Sequence, residues 1–571
     1  MNPSPSAPPG VGAPESPLVR ALPFAVLVLG LALGLGPMWS SKLALVPGDS
    51  QDARLVHFSL EHGHRFLLQQ APHGNLWNPP LFYPARNVAA YTDTLLGFVP
   101  FYSPWRLLGA DPNLAFQLWL VTVLGLTFGA GYWVLRRLFG LGVAAACAGA
   151  YCFGFAGPRM VMVLHPQLLP WFFWALALLA LGLLVPESQR EGLTRRERKV
   201  WIFVLPAALA AQAWGAFYPA FFFVFLVGMG GALALLTRDG RRSIRGLLAA
   251  EGPTLALAAG VGAILVAPLA QRYLLTADLV GTRGLQEVVG LLPRPLSWLM
   301  PHGASRFLGD VWQLPFVKGS PQLFGRPHIS QGLGILTPAL ALLGLWAHRR
   351  RRAVQLLAGV TALLFLLTIL WPGGSTLWSL VHATVPGATA IRAVSRFGLC
   401  LLIPAALGVA LLFDRSWVRR RPLLGLALFA GIVAEQAVVL PAHYQQVYDL
   451  RVEALAEAVG PECDAFVVIL NGHRRPLAAF EENAMWAAMA SGVPTLNGRY
   501  GNSPPAWRLA LKHHPPGAKG RYLTFDTELR RWLDYHCIDP SSVCRLLVDH
   551  TGLEVTPAPW HDLEARPTCA R

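Results

Sequence analysis

Charge is what this chain has least of. Asp, Glu, Lys and Arg make up 14% of its 571 residues, against 54% hydrophobic side chains. Soluble domains carry about 25% charged residues, so an ordinary water-soluble protein is excluded. Acidic groups are the scarcer sign, 31 against 47 Lys and Arg, for a net charge of +16. Several signatures are missing too. There is no GxxxxGK(S/T) run, so ATP-driven transport is not indicated. There is no HExxH, which removes the common zinc-protease pattern, and no dinucleotide fingerprint.

Long apolar runs are what the chain does have. Stretches of about 18 to 22 residues recur along it, each long enough to cross about 30 Å of hydrocarbon. Candidate spans are 21–39, 113–135, 139–157, 165–185, 201–215, 217–237, 250–271, 331–347, 353–371, 396–413 and 422–440. The first is read as a signal anchor that stays in place, because further spans follow. Basic residues gather in the short loops between runs: Arg136-Arg137, RRERK at 195–199, Arg238 with RRSIR at 241–245, Arg349 to Arg352, and Arg415 with Arg419 to Arg421. If the N-terminus is cytoplasmic, every one of these loops falls inside, as the positive-inside rule demands. The positive charge is thereby accounted for, and nucleic acid is not the expected partner.

The same count places loops 40–112 and 272–330, the shorter loop 372–395 and the tail 441–571 outside. The expected organisation is a Pro/Ser/Gly-rich disordered tail over 1–20, a mainly α, multi-span bundle over 21–440, and an extracytoplasmic α/β domain over 441–571. In that last region CDAFVVIL (463–470) and VCRLLVDH (543–550) read as strands. NAMWAAMASG (483–492) and TELRRWLDYH (527–536) read as helices. It holds Cys463, Cys537, Cys544 and Cys569. An oxidising compartment permits disulfides there, with Cys537–Cys544 one pairing among several. Cys147, Cys152 and Cys400 lie in spans and read as apolar filler. The segment 94–109 is apolar but broken by Pro100 and Pro104, which fits a re-entrant hairpin, an interfacial one, or two further spans.

Candidate chemistry begins at LVPGDSQDARLVHFSLEH (45–62), just beyond the first span. Asp49 and Asp52 suit a helix N-terminus, where carboxylates meet free N–H groups and the positive end of the dipole. Leu55, Val56, Phe58, Leu60, Phe66 and Leu67 then give an interfacial amphipathic helix its apolar face. The other reading is a general base at the headgroup plane. A loop rich in Trp, Tyr, Asn and Pro follows, including NPPLFYP and DPNLAF, residue types suited to a sugar-facing interface.

GDxxD in the first external loop, then NPPLFYP, then a span after DPNLAF, resembles the GT-C fold of polytopic membrane glycosyltransferases, in a bacterial branch. RMVMVLHPQLLPW (159–171), IRAVSRFGL (391–399) and GVPTLNGRYGNSPPAW (492–507) extend the resemblance across about 21–550. It implies a sugar donor carried on polyprenyl phosphate, an acceptor hydroxyl on a glycan, lipid or protein, and chemistry on the extracytoplasmic side of the bacterial inner membrane. It also implies Asp49 as the first-loop base, with Asp52 in reserve. His165 is a candidate for hydrogen bonding to phosphate or assisting an acceptor. Arg392 and Arg396 stand at an external span end where basic residues are unexpected, and bidentate phosphate binding would explain them. Arg283, Arg294, His302 and Arg306 are weaker candidates of the same kind. A second acidic motif that often holds a divalent metal in this fold is absent from GPRMVMVLH. Either no metal is used, or Asp52, Glu61 or Asp93 supplies ligands for Mg2+ or Mn2+. The rival reading, a non-enzymatic flippase or envelope-assembly scaffold, predicts charged residues along the spans. Only Glu435 and Gln212 stand out there.

Overall fold

A computed structural model describes residues 16–185, 193–470, 477–510, 521–549 and 551–558. Helix occupies every expected span. Among the described residues, seven helical stretches are long and apolar enough to cross a membrane: Pro17–Gly34, Pro112–Phe139, Val143–Leu164, Pro166–Leu184, Phe217–Leu235, Arg238–Val280 and Val394–Phe413. Leu336–Ala347, Arg352–Thr368 and Pro422–Gln436 are apolar but shorter. The Arg195–Gly215 helix opens on the basic run, with Thr194 and Glu197 forming a reciprocal capping box. Some elements differ from expectation. The first helix starts at Pro17, inside the stretch read as a disordered tail. Arg238–Val280 extends past both ends of its apolar core and into the loop expected from 272. The 94–109 segment forms only the short turns Val99–Phe101 and Ser103–Leu107, because its prolines interrupt the backbone ladder.

Close helix contacts come from small residues. A Cβ on Gly344 would lie 1.9 Å from the Gly408 carbonyl oxygen, and one on Gly408 2.3 Å from that of Ala341. The Leu336–Ala347 and Leu402–Phe413 helices therefore touch backbone to backbone, the contact that stands in for a hydrophobic drive within lipid. Glu435 accepts from the N–H groups of Ile335, Leu336 and Thr337 at 2.6–2.7 Å, capping one of these helices. Gln212 donates to the Pro170 carbonyl at 3.2 Å. Both polar exceptions thus serve backbone groups.

The loops sort into two sets. Arg352 pairs with Asp239 at 2.7 Å, and Asp414 accepts from Gly142 N–H at 3.1 Å, so basic loops meet basic loops. At the other end, Leu45–Pro47 pairs antiparallel with Ala442–Tyr444, joining the exit of the first helix to the start of the tail. Asn87 donates to the Arg272 carbonyl at 3.1 Å, and the Arg283 N–H to that of Thr389 at 3.2 Å. The four regions expected outside are therefore contiguous.

The C-terminal unit is an α/β layer. Ala465–Leu470 pairs parallel with Val543–Val548, which pairs antiparallel with Val555–Pro557. Helices Leu477–Ser491 and Arg521–His536 lie between the parallel strands in sequence. Its core is shared: Leu55, Phe58, Leu81, Phe82, Val88 and Tyr91 of the first loop pack with Phe466, Val468, Phe480, Met485 and Leu529. The disulfide is Cys463–Cys544, not Cys537–Cys544. Cys463 leads into one strand and Cys544 lies in its hydrogen-bonded neighbour, at a Cα separation of 5.6 Å. Cys537 is an exposed free thiol, and Cys147, Cys152 and Cys400 are buried free thiols. Cys569 and the turn read at Asn471-Gly472 lie outside the described residues.

Candidate functional site

The Asp52–Leu67 helix carries an acid in its first turn and His64 and Arg65 in its last, the order its dipole favours. It is not the half-exposed interfacial helix its pattern suggests. Every residue from Ala53 to His64 is buried: Leu55 and Phe58 pack in the core shared with the C-terminal unit, Val56 and Leu60 in the bundle core, and Glu61, His62 and His64 bond to Tyr102, Leu76 and Ser103 of the first loop. Its polar groups are matched accordingly. Arg54 donates to Asn483 at 2.8 Å and lies 4.3 Å over the Tyr448 ring. Arg65 donates to the Met489 carbonyl at 2.7 Å.

Asp49 serves the helix start. Its Oδ1 accepts from the N–H groups of Gln51 at 3.2 Å and Ala53 at 3.0 Å. Asp52, one turn on, faces other side chains. Its Oδ2 is 3.0 Å from His165 Nδ1 and its Oδ1 accepts from Arg499 at 2.6 Å. Burial pushes the Asp52 carboxyl up, but the His165 hydrogen bond and the charges of His165, Arg499 and Arg396 outweigh it and hold it far below the usual range. Its side chain stays 34% exposed, so the cluster opens outward.

Each partner of Asp52 is delivered by a different part of the chain. His165 sits in the connection between the Val143–Leu164 and Pro166–Leu184 segments. Gly48, at φ +109°, brings the first loop against that connection, where a Cβ would lie 2.8 Å from the Val163 carbonyl oxygen. Arg499 comes from the C-terminal unit and also pairs with the buried Glu482. The two carboxylates keep its guanidinium charged against the cost of burial. Its loop is set by the first loop: Phe82 and Tyr83 N–H donate to the Asn497 and Thr495 carbonyls, each at 3.0 Å. NPPLFYP and GVPTLNGRYG, some four hundred residues apart, are thus laid side by side. Asn497 completes the fit, accepting from Val468 N–H at 2.7 Å and donating to its carbonyl at 3.2 Å.

Arg396 lies with its guanidinium 5.1 Å over the Tyr218 ring, and its charge is felt by Asp52, His165 and Asp93. The Tyr218 hydroxyl accepts from the N–H groups of Arg392 and Ala393 at 2.9 and 3.1 Å, fixing the segment that carries both arginines. Arg392 and Arg283 form a second basic group, 3.7 and 3.1 Å from Glu287, and Arg283 donates to the Gly501 carbonyl at 2.6 Å. It is joined to the Asp52 cluster through the 499–501 turn.

Other candidates sit elsewhere. His302 accepts from Ala304 N–H at 3.0 Å within its own turn, and burial lowers its pKa against a hydrogen bond with His328 that raises it. Arg294 holds the Leu292 carbonyl at 2.9 Å, and the Arg306 backbone pairs with Ala437. Neither they nor His302 contact Asp52. Trp507 is buried, its Nε1 donating to the Leu496 carbonyl at 3.0 Å, so it packs the core and presents no sugar-stacking face. Arg499 and Glu482 are not legible as partners of Asp52, because Arg499 sits in an Asn/Gly/Pro loop and Glu482 just ahead of the helix read at 483–492. Only the unusual Arg inside an Asn/Gly/Pro loop hinted at one of them.

A divalent metal needs several oxygen ligands on one side. Around Asp52 the neighbours are cations and an imidazole that approaches the carboxylate itself. Glu61 has its oxygens on Arg65 and Arg106, each at 2.9 Å. Asp93 accepts from Phe217 N–H at 2.8 Å, capping the Phe217–Leu235 helix, and its burial raises its pKa. Among the described residues, the one compact group of three ligating side chains is Glu462, Cys463 and Cys544, and its sulfurs are bonded to each other. This donor set does not suit a divalent cation at Asp52.

The fold is GT-C-like, similar to that of solved membrane glycosyltransferases. The chain is similar over 92% of its length to 68% of an Archaeoglobus fulgidus oligosaccharyltransferase solved with zinc and sulfate, at 12% identity and a TM-score of 0.52. Against the A. fulgidus oligosaccharyltransferase AglB bound to an inhibitory peptide and a dolichol-phosphate, identity is 11%, coverage 93% and 69%, and the TM-score 0.51. For the mycobacterial arabinofuranosyltransferase AftD, identity is 16% and the TM-score 0.51, over 94% of this chain but only 35% of that one. No protein-family model matches the sequence, and neither does any curated protein.

Proposed function

We propose that this chain is a membrane glycosyltransferase of the bacterial inner membrane. It moves a sugar from a polyprenyl-phosphate donor to an acceptor hydroxyl on the periplasmic side, with the N-terminus cytoplasmic. The observation that carries this reading is the partly exposed Asp52 cluster. It lies where the first loop, a span-to-span connection and the C-terminal unit converge, with Arg396 close by. The acceptor attacks the anomeric carbon while lipid phosphate leaves with the bonding electrons. Holding both reactants at one interface supplies orientation, and Arg396 meets the charge that develops on the leaving phosphate. Arg392 and Arg283 extend the basic surface along which a lipid phosphate would approach. Of the two aspartates, Asp52 is the one this reading assigns to the site, because it faces His165 and Arg499 while Asp49 caps its turn. The solved oligosaccharyltransferase with dolichol-phosphate makes a lipid-linked donor the natural class.

A flippase is less well supported, because Glu435 and Gln212 bond backbone groups, and the buried Arg159 likewise donates to the Phe153 and Leu168 carbonyls and stacks over Trp171. The test is chemical. Membranes of a deletion strain should lack a glycolipid or surface glycan, by mass spectrometry, and wild-type protein should restore it. Restoration by Asp52→Asn to wild-type levels would remove this reading.

A further inference from the structure

Resting on that transferase reading, we infer that the proton of the acceptor hydroxyl passes to His165 Nε2, and that Asp52 is the residue that positions the ring. Both Asp52 oxygens are occupied, one by Arg499 at 2.6 Å and one by His165 at 3.0 Å. Two of its roughly four lone-pair directions are thereby taken by charged or N–H donors, which makes it a poorer base than a free carboxylate. The carboxylate is also too acidic for the task, since efficient proton transfer wants a pKa near the working pH. The imidazole answers both points. An ionised Asp52 only accepts, so His165 Nδ1 must carry the hydrogen, which leaves Nε2 as the basic nitrogen. Among the described residues Nε2 has no hydrogen-bond partner, and the side chain is 30% exposed.

The surrounding charges favour a neutral ring that can gain a proton. Burial and Arg396 lower the His165 pKa, while the Asp52 bond and the charges of Asp52 and Asp49 raise it, with the lowering ahead. Once protonated, the imidazolium is held by Asp52, which Arg499 in turn keeps anionic. In the step, the acceptor oxygen forms its bond to the anomeric carbon and loses its proton to Nε2. The carbon–oxygen bond to the phosphate breaks, and its electron pair leaves with the phosphate. The arrangement has the logic of an aspartate-held histidine base, built here on a membrane helix connection.

The test uses the full chain in detergent, with polyprenyl-phosphoryl hexoses and pentoses as donors and octyl glycosides as acceptors. His165→Gly should lose about 10²- to 10³-fold in kcat. Added imidazole should restore part of the loss in proportion to its concentration. His165→Gln, which keeps a polar side chain beside Asp52, guards against misfolding of the glycine variant and should erase the acid limb of the kcat–pH profile. Asp52→Asn combined with His165→Gln should be no worse than the more damaging single change, because the two act as a unit. Wild-type kcat in folded His165→Gln, or a change confined to donor KM, would overturn the assignment and make His165 a phosphate partner. No transfer by folded wild-type protein with any donor would instead overturn the transferase reading, and the inference with it.

Discussion

The two ends of the Asp52–Leu67 helix use nearly the same chemistry to opposite effect. At its C-terminal turns Glu61, fully buried, accepts from Arg65 and Arg106 at 2.9 Å and from the Tyr102 hydroxyl at 2.7 Å. At its first turn Asp52 meets one arginine and one histidine and stays 34% exposed. Around Glu61 three donors saturate the carboxylate and the core closes over it. Around Asp52 a histidine takes the place of the second arginine, and an imidazole can pass a proton on where a guanidinium cannot. A buried carboxylate between cations is therefore weak evidence of chemistry by itself. An open side and a titratable partner are what distinguish the two.

Experiments can break or sharpen this contrast. The largest effect on activity belongs to Asp52→Asn, which acts through His165 and should therefore lower transfer by about 10²- to 10³-fold, measured per folded protein, with a smaller fall in unfolding temperature than Glu61→Gln shows. Glu61→Gln should do the reverse. Leaving Arg65 and Arg106 without their anion costs about 3 kcal/mol, the lower end for buried pairs because both arginines are partly exposed, while kcat of the surviving fold holds. Thermal unfolding read beside activity separates these two outcomes, and equal damage to both properties in both variants would erase the distinction. Arg499→Lys keeps the charge but loses the fork between Asp52 and Glu482, for a roughly tenfold fall in kcat. Arg392→Ala should raise donor KM about three- to tenfold, more weakly at high salt, leaving kcat unchanged.

The smallest effect is one of pH on stability. Although burial raises it, Arg106, Tyr102 and Arg65 hold the Glu61 pKa down to about 2 against 4.5. A carboxyl depressed on folding stabilises fully above its unfolded pKa and loses that contribution as pH falls through its folded one. The Glu61 contribution should thus be intact above about pH 4.5 and fade toward about pH 2, so Glu61→Gln should lessen the acid loss of stability and leave the part due to Asp52.

How far this contrast was legible in the sequence differs for its two halves. Asp52 and His165 were both candidates, one as reserve base and the other as an aid to phosphate or acceptor, yet nothing in their spacing said they touch. Glu61 lay on the polar face of an expected interfacial helix, where solvent would have been its partner. Its burial follows from Arg106 in the next turn-rich stretch and from the C-terminal unit settling on Arg65. Arg499 lies 447 residues from Asp52, a pairing no local pattern encodes. Cys463–Cys544 was missed for the same reason, because a short loop from Cys537 looked easier to close than a contact between neighbouring strands.

The sequence by itself determined the apolar helices, the gathering of basic loops at one end and the α/β character of the tail. Each of these depends on composition or periodicity along a continuous stretch, which water, lipid and the backbone read locally. Tertiary structure alone decided which carboxylate is sealed and which is open, because that depends on backbone pairing between NPPLFYP and the 494–499 turn. Those contacts join segments whose separation along the chain carries no signal, and only the shared core beneath them brings Arg499 to Asp52.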